Sequence, residues 1–194
     1  MTVRIDRAII KYVRDRSSPE RFAHLERCAE TAEILCVRNG LDPKKGAEAA
    51  LLHDVARELS DEEILRLAGS RYELVPEERK NPVLLHGKAA AAMIARDLGI
   101  EDEEILEAAA CHTTGCPGMG PIARVVFLAD YIEPGRKHLD EAFRERVLHS
   151  DPAEGMILVL DREIAHLEGK GVRVLGSTRK LHRELENEVA SRTG

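Results

Sequence analysis

The chain has 194 residues, 43% of them hydrophobic and 33% charged, with 3% aromatic residues, no tryptophan and a formal net charge of -6. That is enough for one domain with a substantial core, which must be packed mainly from aliphatic side chains and alanine. The negative charge excludes a generally basic surface for a nucleic-acid polymer, and no apolar run approaches the roughly 18 residues of a membrane span. The opening Met1-Thr2-Val3-Arg4-Ile5-Asp6 lacks the apolar core of a secretion signal, so a cytoplasmic protein without membrane partners is expected.

From the N-terminus, Ile5, Ile9, Ile10 and Val13 recur at helical spacing and predict an amphipathic helix over residues 3–14. Ser17-Ser18-Pro19-Glu20 supplies a cap and a first-turn proline for a second helix, to about residue 39, with Gly40 as its stop. Its apolar face carries Leu25, Cys28, Ala32, Leu35 and Cys36. His24 lies one turn before Cys28, facing inward as a satisfied core histidine or as a ligand. Asp42-Pro43 opens a third helix, whose stripe Ala47, Ala50 and Leu51 continues at Asp54.

The Asp54 carboxylate therefore points along an apolar face, with His53 beside it. A divalent cation would supply the missing charge and order both side chains. Imidazole nitrogen and carboxylate oxygen suit iron, manganese or zinc. A hydrogen-bonded helix end is the alternative for such a pair taken alone.

Further on, Ser60 and Glu63 form a capping-box pattern. Residues 69–81 read as a loop broken by Pro76, and a helix from about Pro82 carries His86 in its first turns and then the run Ala89 to Ala92. A helix over 101–110 leaves His112 at its end, beside Thr113-Thr114-Gly115. Residues 122–129 are apolar nearly all round and predict a central helix. Asp130 closes that run and needs a partner, either Arg124, Arg136 or a metal.

The segments around Ala142 to Leu148 and Met156 to Leu167 read as supporting helices. Residues 169–178 read as a flexible loop, and a charged helix follows from about Ser177 or Thr178. Cys28 and Cys36 read as small core residues; Cys111 and Cys116 lack the partner pair of a zinc knuckle and read as structural. Without repeats or a good hairpin the fold should be all-α.

With His24, His53-Asp54 and Asp130 in this order on successive helices, the chain resembles the HD-domain metal-dependent phosphohydrolases. The stretches Leu51-Leu52-His53-Asp54-Val55-Ala56-Arg57-Glu58, Asn81-Pro82-Val83-Leu84-Leu85-His86-Gly87, Cys111-His112-Thr113-Thr114-Gly115 and Leu128-Ala129-Asp130-Tyr131-Ile132-Glu133-Pro134-Gly135-Arg136 are similar to the YqeK subfamily. Those enzymes are symmetrical bis(5'-nucleosyl)-tetraphosphatases, which cut diadenosine tetraphosphate into two ADP.

The resemblance implies one HD-domain helical bundle over residues 1–194, with 179–194 as a C-terminal helix. It implies one or two divalent ions, iron or alternatively manganese, held by His24, His53, Asp54 and Asp130. Catalytic roles fall to Asp54, His86, His112 and Arg57, with the metal lowering the pKa of water for in-line attack and the cationic groups stabilising phosphate charge. Substrate contacts fall to His24, Asp54, His86, His112, Thr113, Asp130 and Arg136, and to Arg173, Val174, Leu175, Gly176, Ser177 and Thr178. That last loop departs from the His-Pro-containing loop of relatives.

His86 and His112 could instead complete a second metal site, and a homodimer is the family analogy. Two other functions remain open at this stage: an HD-domain nucleotidase or phosphohydrolase acting on another nucleotide, and a nucleotide-binding regulator without turnover. No P-loop or His-Glu-x-x-His motif supports a competing chemistry.

Overall fold

Short acceptor side chains open most of the helices. In the computed structural model, which describes residues 3–193, Asp6, Ser18, Asp42, Ser60, Asp102, Asp140 and Asp151 each accept a backbone N–H at a helix start. The elements in chain order are α1 (Arg7–Arg14), α2 (Pro19–Arg38), α3 (Pro43–Leu52), α4 (Asp61–Arg71) and the single turn α5 (Pro76–Arg79). A 3-10 turn (Pro82–Leu85) leads into α6 (His86–Leu98), followed by α7 (Glu103–Cys111), α8 (Pro121–Ile132), α9 (Glu141–His149), α10 (Pro152–Gly169) and α11 (Gly176–Thr193). There is no strand among the described residues, so the fold is all-α as expected, and no helix is long and apolar enough to cross a membrane.

Several boundaries differ from the sequence reading for identifiable reasons. The first helix begins at Arg7 because Asp6 caps it, while the Val3 N–H is committed to Glu33 on α2 at 3.1 Å. Pro82 starts a 3-10 turn, and the α-helix proper begins at His86. Part of the expected 69–81 loop is helical, as the end of α4 and as α5. The last helix starts at Gly176, so Gly176, Ser177 and Thr178 occupy its first turn instead of the preceding loop, and the Thr178 hydroxyl donates to the Thr114 carbonyl at 2.8 Å.

The core is centred on α8, whose Ala123, Val125, Val126 and Ala129 have no exposure. Helix α2 packs on α3 and α8, α7 packs on α6 and α8, and α10, which carries α11, also packs on α8. Arg124 of α8 makes a bidentate pair with Glu188 of α11 at 2.8 and 3.0 Å, which removes it as a partner for Asp130. Cys111 and Cys116 form a disulfide across the short loop after α7, while Cys28 and Cys36 are buried free thiols.

Alanine brings the helices close. Ala49 and Ala50 on α3, Ala89, Ala90 and Ala91 on α6, and Ala108 and Ala109 on α7 are all fully buried. Where α6 meets α7 even a methyl group is too large: a Cβ on Gly87 would lie 2.4 Å from the Ala109 carbonyl oxygen and 3.0 Å from His112 Nδ1. Gly87→Ala is therefore expected to push the two helices apart and to destabilise the domain by about 1–3 kcal/mol, the usual range for overpacking. Denaturant unfolding of the two proteins measures this, and equal midpoints would show that α6 and α7 are not held this tightly.

Candidate metal centre

Four of the eight histidines, His24, His53, His86 and His112, are buried around one point. Three of them stand where helical hydrogen bonding runs out. His53 caps the C-terminus of α3 and its Nδ1 lies 2.6 Å from the Ala50 carbonyl oxygen. His112 caps α7 with Nδ1 2.8 Å from the Ala109 carbonyl, and His86 follows the 3-10 turn with Nδ1 2.5 Å from the Val83 carbonyl. The last carbonyls of a helix lack N–H partners, so a ring folded back onto the third preceding residue satisfies one of them. The hydrogen-bond pattern assigns the proton to Nδ1 and turns each Nε2 inward.

The fourth, His24, comes from α2. Its Nε2 is 3.1 Å from Asp130 Oδ1 on α8, and its Nδ1 is 3.1 Å from Glu133 Oε1 at the end of the same helix. Asp54 enters from the turn after α3, with Oδ1 2.9 Å from His86 Nε2 and 3.4 Å from His112 Nε2. His53 Nε2 lies between the two carboxylates, 3.8 Å from Asp54 Oδ2 and 3.9 Å from Asp130 Oδ1. It is sealed from solvent and has no hydrogen-bond partner among the described residues, and Asp54 Oδ1, although close to His86, is not aligned for a hydrogen bond. Buried polar atoms are normally satisfied. Inward lone pairs beside two carboxylates are what a divalent cation requires, so His24, His53, Asp54 and Asp130 fit the expected ligand set.

The electrostatics agree. Burial, with a smaller contribution from His112, lowers the His53 pKa to about 4, which keeps that ring neutral as a ligand must be. Burial opposes ionisation of Asp54, but the surrounding imidazoles of His53, His112 and His86 more than offset it and hold the group well below the usual carboxylate range. Asp130 is lowered in the same way, against burial, by His24, His53 and Arg136. For His24 burial is outweighed by the bonds to Asp130 and Glu133, and for His112 by Asp54, so both are raised.

The other sequence candidates fall into two groups. Thr113 is at the centre, its hydroxyl 3.3 Å from His86 Nε2 and 3.2 Å from His112 Nε2. Arg136 is there too, its guanidinium paired with the Asp130 carboxylate and its Nε donating to the Asp130 carbonyl at 2.9 Å. Arg57 is partly buried in the turn after Asp54, where its N–H donates to the Asp54 carbonyl at 2.9 Å, and its side chain forms no ion pair with a described residue. Arg173, Val174, Leu175 and Thr178 line a cleft of about 250 Å³ with Thr113 and Thr114, and an adjoining cleft of about 550 Å³ adds Gly176 and Ser177.

Three residues at the centre were not singled out as candidates from the sequence. Arg21 Nη1 donates to Asp54 Oδ2 at 2.6 Å; its place three residues before His24 was the available signal. Glu133 is 2% exposed and is held by Arg27 as well as by His24. Cys28, read as a core residue, is buried but also places its sulfur 3.5 Å from His24 Nε2, and burial pushes its thiol pKa well up.

Histidine and aspartate side chains from α2, the end of α3 and α8, converging on one buried point, define a metal-binding helical domain. Residues 21–135, which contain His24, His53, Asp54 and Asp130, match the family model described as the HD domain. The chain belongs to the HD-domain family, and it is a hydrolase of that family. It is 36% identical over 124 residues to a protein of Bacillus subtilis named bis(5'-nucleosyl)-tetraphosphatase, symmetrical, an alignment covering 64% of this chain and 67% of that one. A protein of the same name from Halalkalibacterium halodurans is 34% identical over 128 residues, covering 66% and 68%. A crystal structure from Clostridium acetobutylicum, described as a predicted HD superfamily hydrolase involved in NAD metabolism, superposes with a TM-score of 0.87 at 30% identity, over 93% of this chain and 96% of the other.

The His53 environment gives a pH test on the metal-free protein. Its folded pKa of about 4 lies below the unfolded value of about 6.5. Between those two pH values the unfolded chain binds a proton that the folded chain refuses, so this residue's contribution falls as pH drops through the window, by up to about 3 kcal/mol in total. Histidine NMR should show the His53 ring titrating near pH 4, and in His53→Gln the loss of stability between pH 6.5 and 4 should be smaller. A ring titrating near 6.5 would mean that the site is open to water.

Proposed function

We propose that this chain hydrolyses diadenosine tetraphosphate symmetrically. Water attacks one of the two inner phosphorus atoms, the central bridging P–O bond breaks, and both halves leave as ADP, with the water oxygen retained on one of them. The observation that carries the reading is His53 Nε2, buried and unbonded between two carboxylates, in a chain whose relatives from Bacillus subtilis and Halalkalibacterium halodurans bear the name of that activity.

In this reading His24, His53, Asp54 and Asp130 hold iron, with manganese as the alternative. The metal would supply Lewis acidity toward water and a phosphoryl oxygen. The remaining roles belong to the chain itself. Arg21 and Arg136 now bond to the carboxylates of Asp54 and Asp130. When a cation takes those oxygens, both guanidiniums are free to grip phosphate in the forked geometry that suits it. Arg57, in the turn after Asp54, adds positive charge near the centre, and His86, His112 and Thr113 present polar atoms to the phosphate chain. The clefts lined by residues 173–178 and Thr113 take a nucleoside.

One observation favours a second ion in the same centre. His86 Nε2 and His112 Nε2 are 2.9 Å apart and share Asp54 Oδ1. Two neutral rings with Nδ1 protonated would point lone pairs at each other, and a cation relieves that repulsion. In this variant His86 and His112 are ligands, and metal analysis of the purified protein would return two ions per chain instead of one.

The test is product analysis. Anaerobically purified protein supplied with iron or manganese should convert diadenosine tetraphosphate to ADP alone, and Asp54→Ala should reduce this to background. AMP with ATP would overturn symmetrical attack, and no turnover with any metal would move the reading to another nucleotide or to binding without catalysis.

A further inference from the structure

We infer that Glu133 is a positioning residue for the metal centre: with Arg27 it fixes the ring of His24 so that Nε2 faces the ion. The inference rests on the metal reading above and extends it to a residue outside the ligand set. His24 differs from the other three histidines in where its Nδ1 finds an acceptor. His53, His86 and His112 stand at helix or turn ends, and each borrows the carbonyl three residues before it. His24 lies inside the 20-residue α2, where the carbonyls are already engaged in the helical ladder. It needs an acceptor from elsewhere.

Glu133, at the C-terminal cap of α8, supplies it, with Oε1 3.1 Å from His24 Nδ1. The carboxylate cannot rotate away. Its Oε2 accepts from Arg27 Nε at 2.5 Å and from the Gly135 backbone N–H at 2.5 Å, and Oε1 accepts from Arg27 Nη2 at 3.3 Å. Gly135 makes room for this clamp, because a Cβ there would lie 2.4 Å from Arg27 Nη2 and 2.6 Å from Arg27 Nε. A carboxylate that accepts the distal N–H of a metal-binding imidazole fixes the ring's orientation and raises its basicity, and loss of such a partner typically weakens metal binding about 10–100-fold.

The test is calorimetric titration of Mn2+ into the metal-free full chain, comparing the unaltered protein with Glu133→Ala, Glu133→Gln, Arg27→Met and Glu78→Gln. Glu78 is a comparably buried carboxylate whose side chain bonds to Lys88 and the Val75 N–H, and it serves as the control for losing a buried charge. Glu133→Ala should weaken Mn2+ binding about 10–100-fold. Glu133→Gln, which keeps an acceptor oxygen, and Arg27→Met, which keeps the carboxylate, should lose less, and Glu78→Gln should bind as the unaltered chain does.

A second readout is proton NMR of the zinc-loaded protein. A slowly exchanging His24 Nδ1–H should be present in the unaltered chain and absent from Glu133→Ala. Unchanged affinity in folded Glu133→Ala, or equal losses in Glu78→Gln, would overturn the inference while leaving the metal site standing. Failure of the unaltered chain to bind Mn2+ would overturn both.

Discussion

An imidazole nitrogen cut off from water must bond to something, and the arrangement of this domain follows from how it meets that requirement. Each of the four buried rings spends one nitrogen on a fixed acceptor, and the other is thereby committed to the interior. For His53, His86 and His112 the acceptor is a carbonyl left over at the end of a helix or turn. The positions of those ends therefore decide where the lone pairs point. The C-termini of α3 and α7 also bring the negative ends of two helix dipoles close to the same place, which favours a positive charge there.

Local charge balance explains how so many ionised groups share one interior. Asp54, Asp130 and Glu133 are matched by Arg21, Arg136 and Arg27, each carboxylate in contact with a guanidinium. The buried cluster is thus close to neutral before any cation enters, although the whole chain carries -6. Adding a dication makes the pocket positive inside an otherwise negative molecule. A polyphosphate, repelled by the general surface, would meet a favourable field only at the mouth of the site.

Much of this was legible in the sequence because it is local. The stripe Ala47, Ala50, Leu51 and Asp54 follows from helical spacing, and the Cys111 to Gly115 stretch marks a helix end by its residue types. The all-round apolar run before Asp130 announces a buried charge, and the order of the four ligands carries the family resemblance. What could not be read is non-local. Nothing near Asp130 says whether Arg124 or Arg136 serves it; the choice is made by Glu188, which lies 64 residues beyond Arg124 and takes it. Glu133 was visible within a motif, but its role depends on His24, 109 residues earlier. The start of α11 was placed a residue or two late because Gly176, Ser177 and Thr178 are poor helix formers, held in the first turn partly by the Thr178 bond to Thr114.

The alanine contacts between α3, α6 and α7 set limits on how this chain can vary. Alanine has no side-chain rotamers to freeze, so these helices dock without the entropy loss that larger side chains incur. The same economy removes the usual means of accommodation. In a core of leucines a substitution can be absorbed when a neighbour changes rotamer; at Gly87 the nearest atoms are the Ala109 carbonyl and the His112 ring, and a larger residue there must displace a helix. Because α3 and α7 end in His53 and His112, such a displacement would be felt at the buried histidines directly. Sequence drift in this lineage should therefore concentrate on the exposed faces of α9, α10 and α11, leaving the small residues under the histidines among the slowest positions to change although they carry no chemistry of their own.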